Sequence, residues 1–221
     1  MEKKVAIFQQ APREHAGYFE TLFEEAKIPA EYILLYETGE VPKKLDATHL
    51  LFLGGPMSVN DEKELPWLAE EKALIRRSAK DRRKVLGICL GAQLIASAHG
   101  AKVFPFEKEI GWQPLSRAEG AGGVFARFPD CFHVFQFHGE TFGMPYGGRL
   151  LAYGEQVRNQ AIVCRNALGL QFHLEMTEDL VRDWSKDVTR FQQEKIERET
   201  PRYLAQSNRL CRMVAEDFIG K

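Results

Sequence analysis

The chain has 221 residues, 44% of them hydrophobic and 28% charged, ordinary values for a globular protein able to bury a full core. Its 30 basic and 31 acidic residues leave a formal net charge of −1, so no basic excess points to nucleic acid and no like-charged block marks an interaction tail. Met1-Glu2-Lys3-Lys4 leads straight into Val5-Ala6-Ile7-Phe8 without a signal peptide's apolar run, and nothing approaches ~18 uninterrupted apolar residues, so no membrane span is expected.

Residues 5–9 read as a first buried strand, 10–15 as a polar loop broken by Pro12, and 18–26 as a helix. Strands are expected at 31–36 and 48–53, the latter ending in Gly54-Gly55-Pro56. Two glycines at a strand's carboxyl end free backbone N–H groups to face a ligand, at the edge where open α/β sheets bind. Asn60 or Asp61 is placed to cap a short helical stretch, and 68–79 is an amphipathic helix.

Residues 84–88 form a short apolar strand, followed by Cys89 between Gly87 and Gly91 and then a helix ended by Gly100. Gly87-x-Cys89-x-Gly91 is the cysteine counterpart of the nucleophile elbow, a strained strand-to-helix turn. A thiol there meets the positive end of the helix macrodipole, which favours the thiolate.

The second half is β-rich: strands at 101–104 and 132–139, a polar β region at 109–115, and short strands at 150–154, 161–165 and 168–172. Glycines at 120–123 and 147–148 mark turns, and Asn166-Ala167 joins the last two strands. Thr177 starts a helix, 180–191 is amphipathic, and 194–218 is helical with a break expected at Pro201. The fold class is α/β: a mostly parallel sheet between helical layers, with added antiparallel strands and a C-terminal helical extension.

Cys89, Cys131, Cys164 and Cys211 are scattered without a Cys-x-x-Cys pair, so neither a zinc site nor a disulfide framework is indicated. Reduced thiols fit a cytoplasmic protein. If the last strand runs on to residue 175, His173 and Glu175 share a face, because residues two apart on a strand do. A carboxylate beside a histidine holds its tautomer and stabilises the imidazolium.

Leu53-Gly54-Gly55-Pro56, Gly87-Ile88-Cys89-Leu90-Gly91-Ala92-Gln93, Phe137-His138-Gly139-Glu140 and Gln171-Phe172-His173-Leu174-Glu175 stand in this order along the chain. Together they resemble the class I, triad-type glutamine amidotransferase family, in particular stand-alone members similar to the glutaminase domain of GMP synthase. The resemblance covers roughly residues 3–180 and implies a three-layer, flavodoxin-like α/β/α sandwich at 1–180, with 181–221 as a helical extension packed on the same domain.

By that resemblance Cys89 is the nucleophile that attacks the side-chain amide of glutamine, His173 the base and Glu175 the acid that orients it. The backbone N–H groups of Gly55 and Leu90 are the implied oxyanion hole. Gln93, His138, Gly139 and Glu140 are the implied glutamine contacts, Glu140 standing where many relatives carry Asp. Leu174 replaces the proline of the usual His-Pro-Glu and leaves both flanking side chains in place.

No cofactor or metal is expected. The chain shows no P-loop or other nucleotide fingerprint, so an acceptor for ammonia is expected on a separate synthetase subunit. Two further readings stay open: a stand-alone γ-glutamyl peptidase or hydrolase using the same triad, and a catalytically silent binding or regulatory module. Trp112 and Phe142 belong either to the mouth of the site or to the core.

Overall fold

A computed structural model describes residues 2–221. The first half runs β1 (Val5–Gln9), α1 (Tyr18–Glu25), β2 (Ala30–Leu34), α2 (Leu35–Thr38), β3 (His49–Phe52), α3 (Trp67–Ser78), β4 (Lys84–Ile88) and α4 (Leu90–Ala98). The second runs β5 (Val103–Arg117), β6 (Cys131–Phe142), β7 (Gly148–Tyr153), β8 (Ala161–Cys164), β9 (Ala167–Leu170), α5 (Glu178–Trp184) and α6 (Arg190–Ile219).

The strands form one nine-stranded sheet in the order β2-β1-β3-β4-β9-β8-β7-β5-β6. From β2 to β9 neighbours are parallel, in the spatial order of a flavodoxin-like doubly wound fold; β8, β7, β5 and β6 continue from β9 in antiparallel pairs. The loops after β1 and β3 leave the sheet on either side of the point where winding reverses, the place where such folds bind ligands.

Continuous apolar runs make strands here because both faces are covered. Val5, Ile7, Leu51 and Leu86 pack with Phe19 and Phe23 of α1 and with Leu210, Val214 and Phe218 of α6. Ala6, Phe8, Leu50, Phe52 and Val85 pack with Leu74 and Ile75 of α3 and with Leu94 and Ile95 of α4. Each fully buried Leu, Ile or Phe contributes about 1.5–3 kcal/mol. A third cluster joins Trp112 and Phe135 to Leu180, Val181 and Trp184 of α5 and Ile196 of α6. Trp112 and Phe142 are thus core residues, each nearly inaccessible.

The structure departs from the sequence reading at several places. The strand expected over 31–36 ends at Leu34 and turns into α2, which buries Leu35 instead. No helix follows Asn60: Asp61 turns back, its Oδ2 accepting the Ser58 N–H at 2.8 Å, and cannot cap forward. The strand expected at 101–104 starts only at Val103 and is continuous with 109–115 in one strand, β5, interrupted by a bulge between Pro105 and Glu109, because proline has no N–H for the ladder.

The last strand, β9, stops at Leu170, so His173 and Glu175 do not lie on a continuous strand. The stretch 180–191 is not one helix: α5 gives out near Trp184, and Thr189 opens α6 with a capping box to Gln192. Pro201, expected to break the helix, lies inside α6. It costs one backbone hydrogen bond, while packing holds both halves in line: Ile196 sits in the Trp112 cluster and Leu210 to Ile219 in the main core. No helix among the described residues is long and apolar enough to cross a membrane.

Candidate active site

Cys89 sits at the junction of β4 and α4 with φ +52°, a strained value for a non-glycine residue, and its N–H is held by Leu170 O at 2.7 Å. Its flanking glycines are required by contact. A Cβ on Gly91 would lie 2.1 Å from Phe52 O, and one on Gly87 would lie 2.3 Å from Gly91 O. Only bare backbone lets α4 start this close to β3 and β4. Cys89 is the N-cap of α4, so its thiol stands at the positive end of that helix.

Tertiary clamps set the segment after β9. The His173 N–H donates to Phe135 O of β6 at 2.9 Å, and Glu175 O accepts the Tyr18 N–H at the start of α1 at 2.8 Å. Between these anchors Glu175 Oε1 lies 2.5 Å from His173 Nδ1, with both side chains buried. Trp184 covers the imidazole edge-on. His173 Nε2 has no hydrogen-bond partner among the described residues. Burial favours the neutral ring, but the charge and hydrogen bond of Glu175, together with the nearby Cys89 sulfur, outweigh it and hold the imidazole well above its ordinary pKa.

Cys89 opens on a cavity of about 500 Å3. Gln93 of α4 lies beside it, Gly55 to Ser58 form one wall, and Phe137 to Glu140 with Lys108 form the other. Gly55, Cys89, Gln93, His138, Gly139 and Glu140 therefore meet at one place. Leu90 stands behind the wall: a Cβ on Gly55 would be 3.0 Å from Leu90 Cδ2. The N–H groups of Gly55 and Leu90 donate no backbone hydrogen bond among the described residues.

Two of these side chains are tied inward. Gln93 Nε2 donates to Glu140 O at 3.3 Å and to Gln171 Oε1 at 3.2 Å, and Gln171 Nε2 stands 3.8 Å from Cys89 Sγ. His138 has Nδ1 3.1 Å from Glu140 O and Nε2 3.1 Å from Glu109 Oε2, which also accepts from Gln160 Nε2 at 2.7 Å.

Sequence reasoning missed Gln171, Lys108, Trp184 and Glu14. Gln171 lies within the segment carrying His173, but nothing local shows that its amide bridges Gln93 and the thiol. Lys108 reaches the cavity because the bulge in β5 sets its Cγ 3.8 Å from where a Cβ on Gly139 would be. Among the described residues no cluster of three or more His, Cys, Asp or Glu side chains could hold a metal ion.

The chain matches the family model described as glutamine amidotransferase class-I over residues 22–182. It is 31% identical over 211 residues to a glutamine amidotransferase-like protein of Salmonella typhimurium, covering 92% of this chain and 84% of that one. A glutamine-hydrolysing GMP synthase of Thermomicrobium roseum is 31% identical over 137 residues; the match covers 61% of this chain but only 24% of the longer enzyme. Gamma-glutamyl peptidase 5 of Arabidopsis thaliana is 26% identical over 76% of this chain and 71% of its own. A crystal structure of a glutamine amidotransferase from Thermotoga maritima superposes with a TM-score of 0.88 at 29% identity, covering 100% of both chains. With its sheet order, its elbow cysteine and this match over most of its length, the chain belongs to the class I glutamine amidotransferase family.

Proposed function

We propose that the chain is a glutamine-hydrolysing enzyme built on a Cys89–His173–Glu175 triad. The observation that carries this reading is the elbow thiol, open to a cavity and standing beside an imidazole whose Nδ1 is fixed by Glu175 at 2.5 Å and whose Nε2 is free. His173 takes the Cys89 proton as sulfur attacks the amide carbon of glutamine, then delivers it to the departing nitrogen. Ammonia leaves and a γ-glutamyl thioester remains; water attacks it, returning the thiol and releasing glutamate. Negative charge forming on the carbonyl oxygen is met by the N–H groups of Gly55 and Leu90, and each such donor contributes on the order of 100-fold or more to rate.

In this reading Gln93 and the His138-Gly139-Glu140 segment hold the amino-acid end of the substrate, with the Glu140 carboxylate against the α-ammonium. Residues 1–180 form the amidotransferase domain and 181–221 an extension of it, in a cytoplasmic protein. Ammonia passes to an acceptor on a separate synthetase chain, a reading supported by the similarity to a fraction of a GMP synthase.

The second reading is a γ-glutamyl peptidase with the same triad, favoured by the similarity to an Arabidopsis protein of that name. The substrates differ only in what leaves. The test is ammonia release from glutamine, with and without candidate synthetases, against amine release from γ-glutamyl peptides. Peptide cleavage with negligible ammonia from glutamine sinks the first reading; turnover of neither substrate sinks both.

A further inference from the structure

Glu14 lies on the loop between β1 and α1, at the carboxyl edge of the sheet. A Cβ added to Gly54 would sit 2.7 Å from Glu14 Oε2, 3.4 Å from His173 Cε1 and 3.6 Å from Cys89 Cβ. A carboxylate oxygen, the C–H edge of the imidazole and the stem of the cysteine therefore converge on the one point that glycine leaves open. Among the described residues no side chain or backbone group shifts Glu14 through a hydrogen bond. The loop itself is fastened: Arg13 is 2.6 Å from Asp183 of α5 and 2.6 Å from Asp187, and Arg13 O accepts the Trp184 indole N–H at 3.3 Å.

A carboxylate in this position has one electrostatic consequence: when ionised, it favours the imidazolium. Unlike Glu175 it bonds to neither ring nitrogen: Nδ1 is held by Glu175 and Nε2 has no partner among the described residues. We infer that Glu14 is a second carboxylate of the triad, a positioning residue whose charge keeps the proton on His173 until the leaving nitrogen takes it. This rests on the function proposed above.

The charged and titratable groups around the pair come from every neighbouring element: Arg13 on the same loop, Glu175 after β9, Cys89 at the elbow, and Cys211 of α6 beyond Glu175. Burial pushes the Glu14 carboxyl up to about 7; the His173 charge pulls against this, Glu175 adds to it, and Arg13 pulls down. Its charge therefore develops across neutral pH. Above that point it raises the proton affinity of His173 and extends turnover, which needs the imidazolium to protonate the leaving group, toward alkaline pH.

The experiment is a proton NMR titration of the His173 Cε1–H, assigned by its loss in His173→Gln. It is run on the wild type, Glu14→Gln and Glu14→Asp, with the pH profile of kcat/KM measured alongside. An opposite charge within ~4–6 Å shifts a pKa by ~1–3 units, so Glu14→Gln is expected to weaken proton binding at His173 about tenfold or more. The alkaline limb of kcat/KM moves down with it, and Glu14→Asp keeps part of both effects.

In the wild type the Cε1–H resonance records a step near pH 7 as Glu14 ionises, a readout that does not depend on either Glu14 variant folding. An unmoved His173 titration in Glu14→Gln, or no step near neutral pH in the wild type, overturns the inference while leaving turnover and the proposed function standing. Absence of any turnover in the wild type removes the proposed function, and the role of Glu14 in bond cleavage with it.

Discussion

Trp184 stands edge-on to the imidazole of His173, with ring centroids 4.8 Å apart and planes at 90°. It closes α5, two residues past the end of the family match at 182. The C-terminal region therefore supplies a wall of the site as well as the face of the core covered by α6. An apolar wall excludes water from the His173–Glu175 pair, which strengthens the electrostatic hold of one on the other.

Trp184→Ala should lower stability by about 3–5 kcal/mol, the usual cost of emptying a large aromatic site. It should reduce turnover beyond what the folded fraction explains, because water then reaches Glu175 and weakens its grip on the imidazole. Trp184→Phe should recover most of both. Thermal melts and kcat on the three proteins check this, and an unchanged kcat in folded Trp184→Ala refutes it.

Cys89→Ser should abolish turnover of glutamine and γ-glutamyl peptides alike without lowering Tm. Cys131, the exposed thiol, should tolerate Ala with near-normal turnover, while Cys164 and Cys211 are buried, which pushes both thiols up and disfavours the thiolate. A diazo-ketone glutamine analogue should label Cys89 first, as read by peptide mass. Labelling of Cys131 in its place would show that the wrong thiol was assigned.

Glu71 of α3 is fully buried and accepts Gln10 Nε2 at 2.6 Å, while its Oε2 has no partner among the described residues. Burial pushes its carboxyl up to about 8, against the Gln10 hydrogen bond and the Lys72 charge. The folded state thus binds the proton more tightly than the unfolded chain, and stability falls as pH rises from about 4.5 to about 8, then levels off. Glu71→Gln keeps the shape of the neutral acid, so its Tm should fall less across that window. At its upper end the variant should be more stable by on the order of 4 kcal/mol. The fall contributed by Glu14, whose carboxyl rises to about 7 and which therefore spans a shorter window, should remain. Parallel Tm–pH curves for the two proteins would refute this.

Gly17 has φ +52°, and a Cβ there would fall 2.2 Å from Glu175 O. Gly17→Ala combines left-handed strain with a clash against backbone, and should cost more than ~2 kcal/mol. Because the obstructed carbonyl belongs to Glu175, the loss of turnover should exceed that of an equally destabilising change in α3, such as Ile75→Ala. Urea titration with activity measured on the folded protein makes the comparison.

Much of this site is legible locally. Gly87-x-Cys89-x-Gly91 states its own turn, because a Cβ on Gly91 would fall 2.1 Å from the carbonyl oxygen of Phe52 on the neighbouring strand. The Gly54-Gly55-Pro56 loop is equally plain, and apolar runs between amphipathic stretches describe a covered parallel sheet. The errors fall where distant packing overrides local preference. Pro201 reads as a break, yet α6 runs through it because Ile196 on one side and Leu210 to Ile219 on the other are anchored in separate parts of the core. His173 and Glu175 read as neighbours on a strand, yet what aligns them is a single bridge to Phe135 and a carbonyl bonded to Tyr18.

By itself, then, the sequence determined the elbow, the order of the four motifs and the α/β class, since each depends on residues a few positions apart. Only the tertiary structure decided that Trp184 covers His173, that Gln171 bridges Gln93 and Cys89, and that Glu14 reaches the point left open at Gly54. Those contacts join segments distant along the chain. Their geometry is set by how the sheet edge, the loops and the C-terminal helices pack, which no short-range pattern encodes.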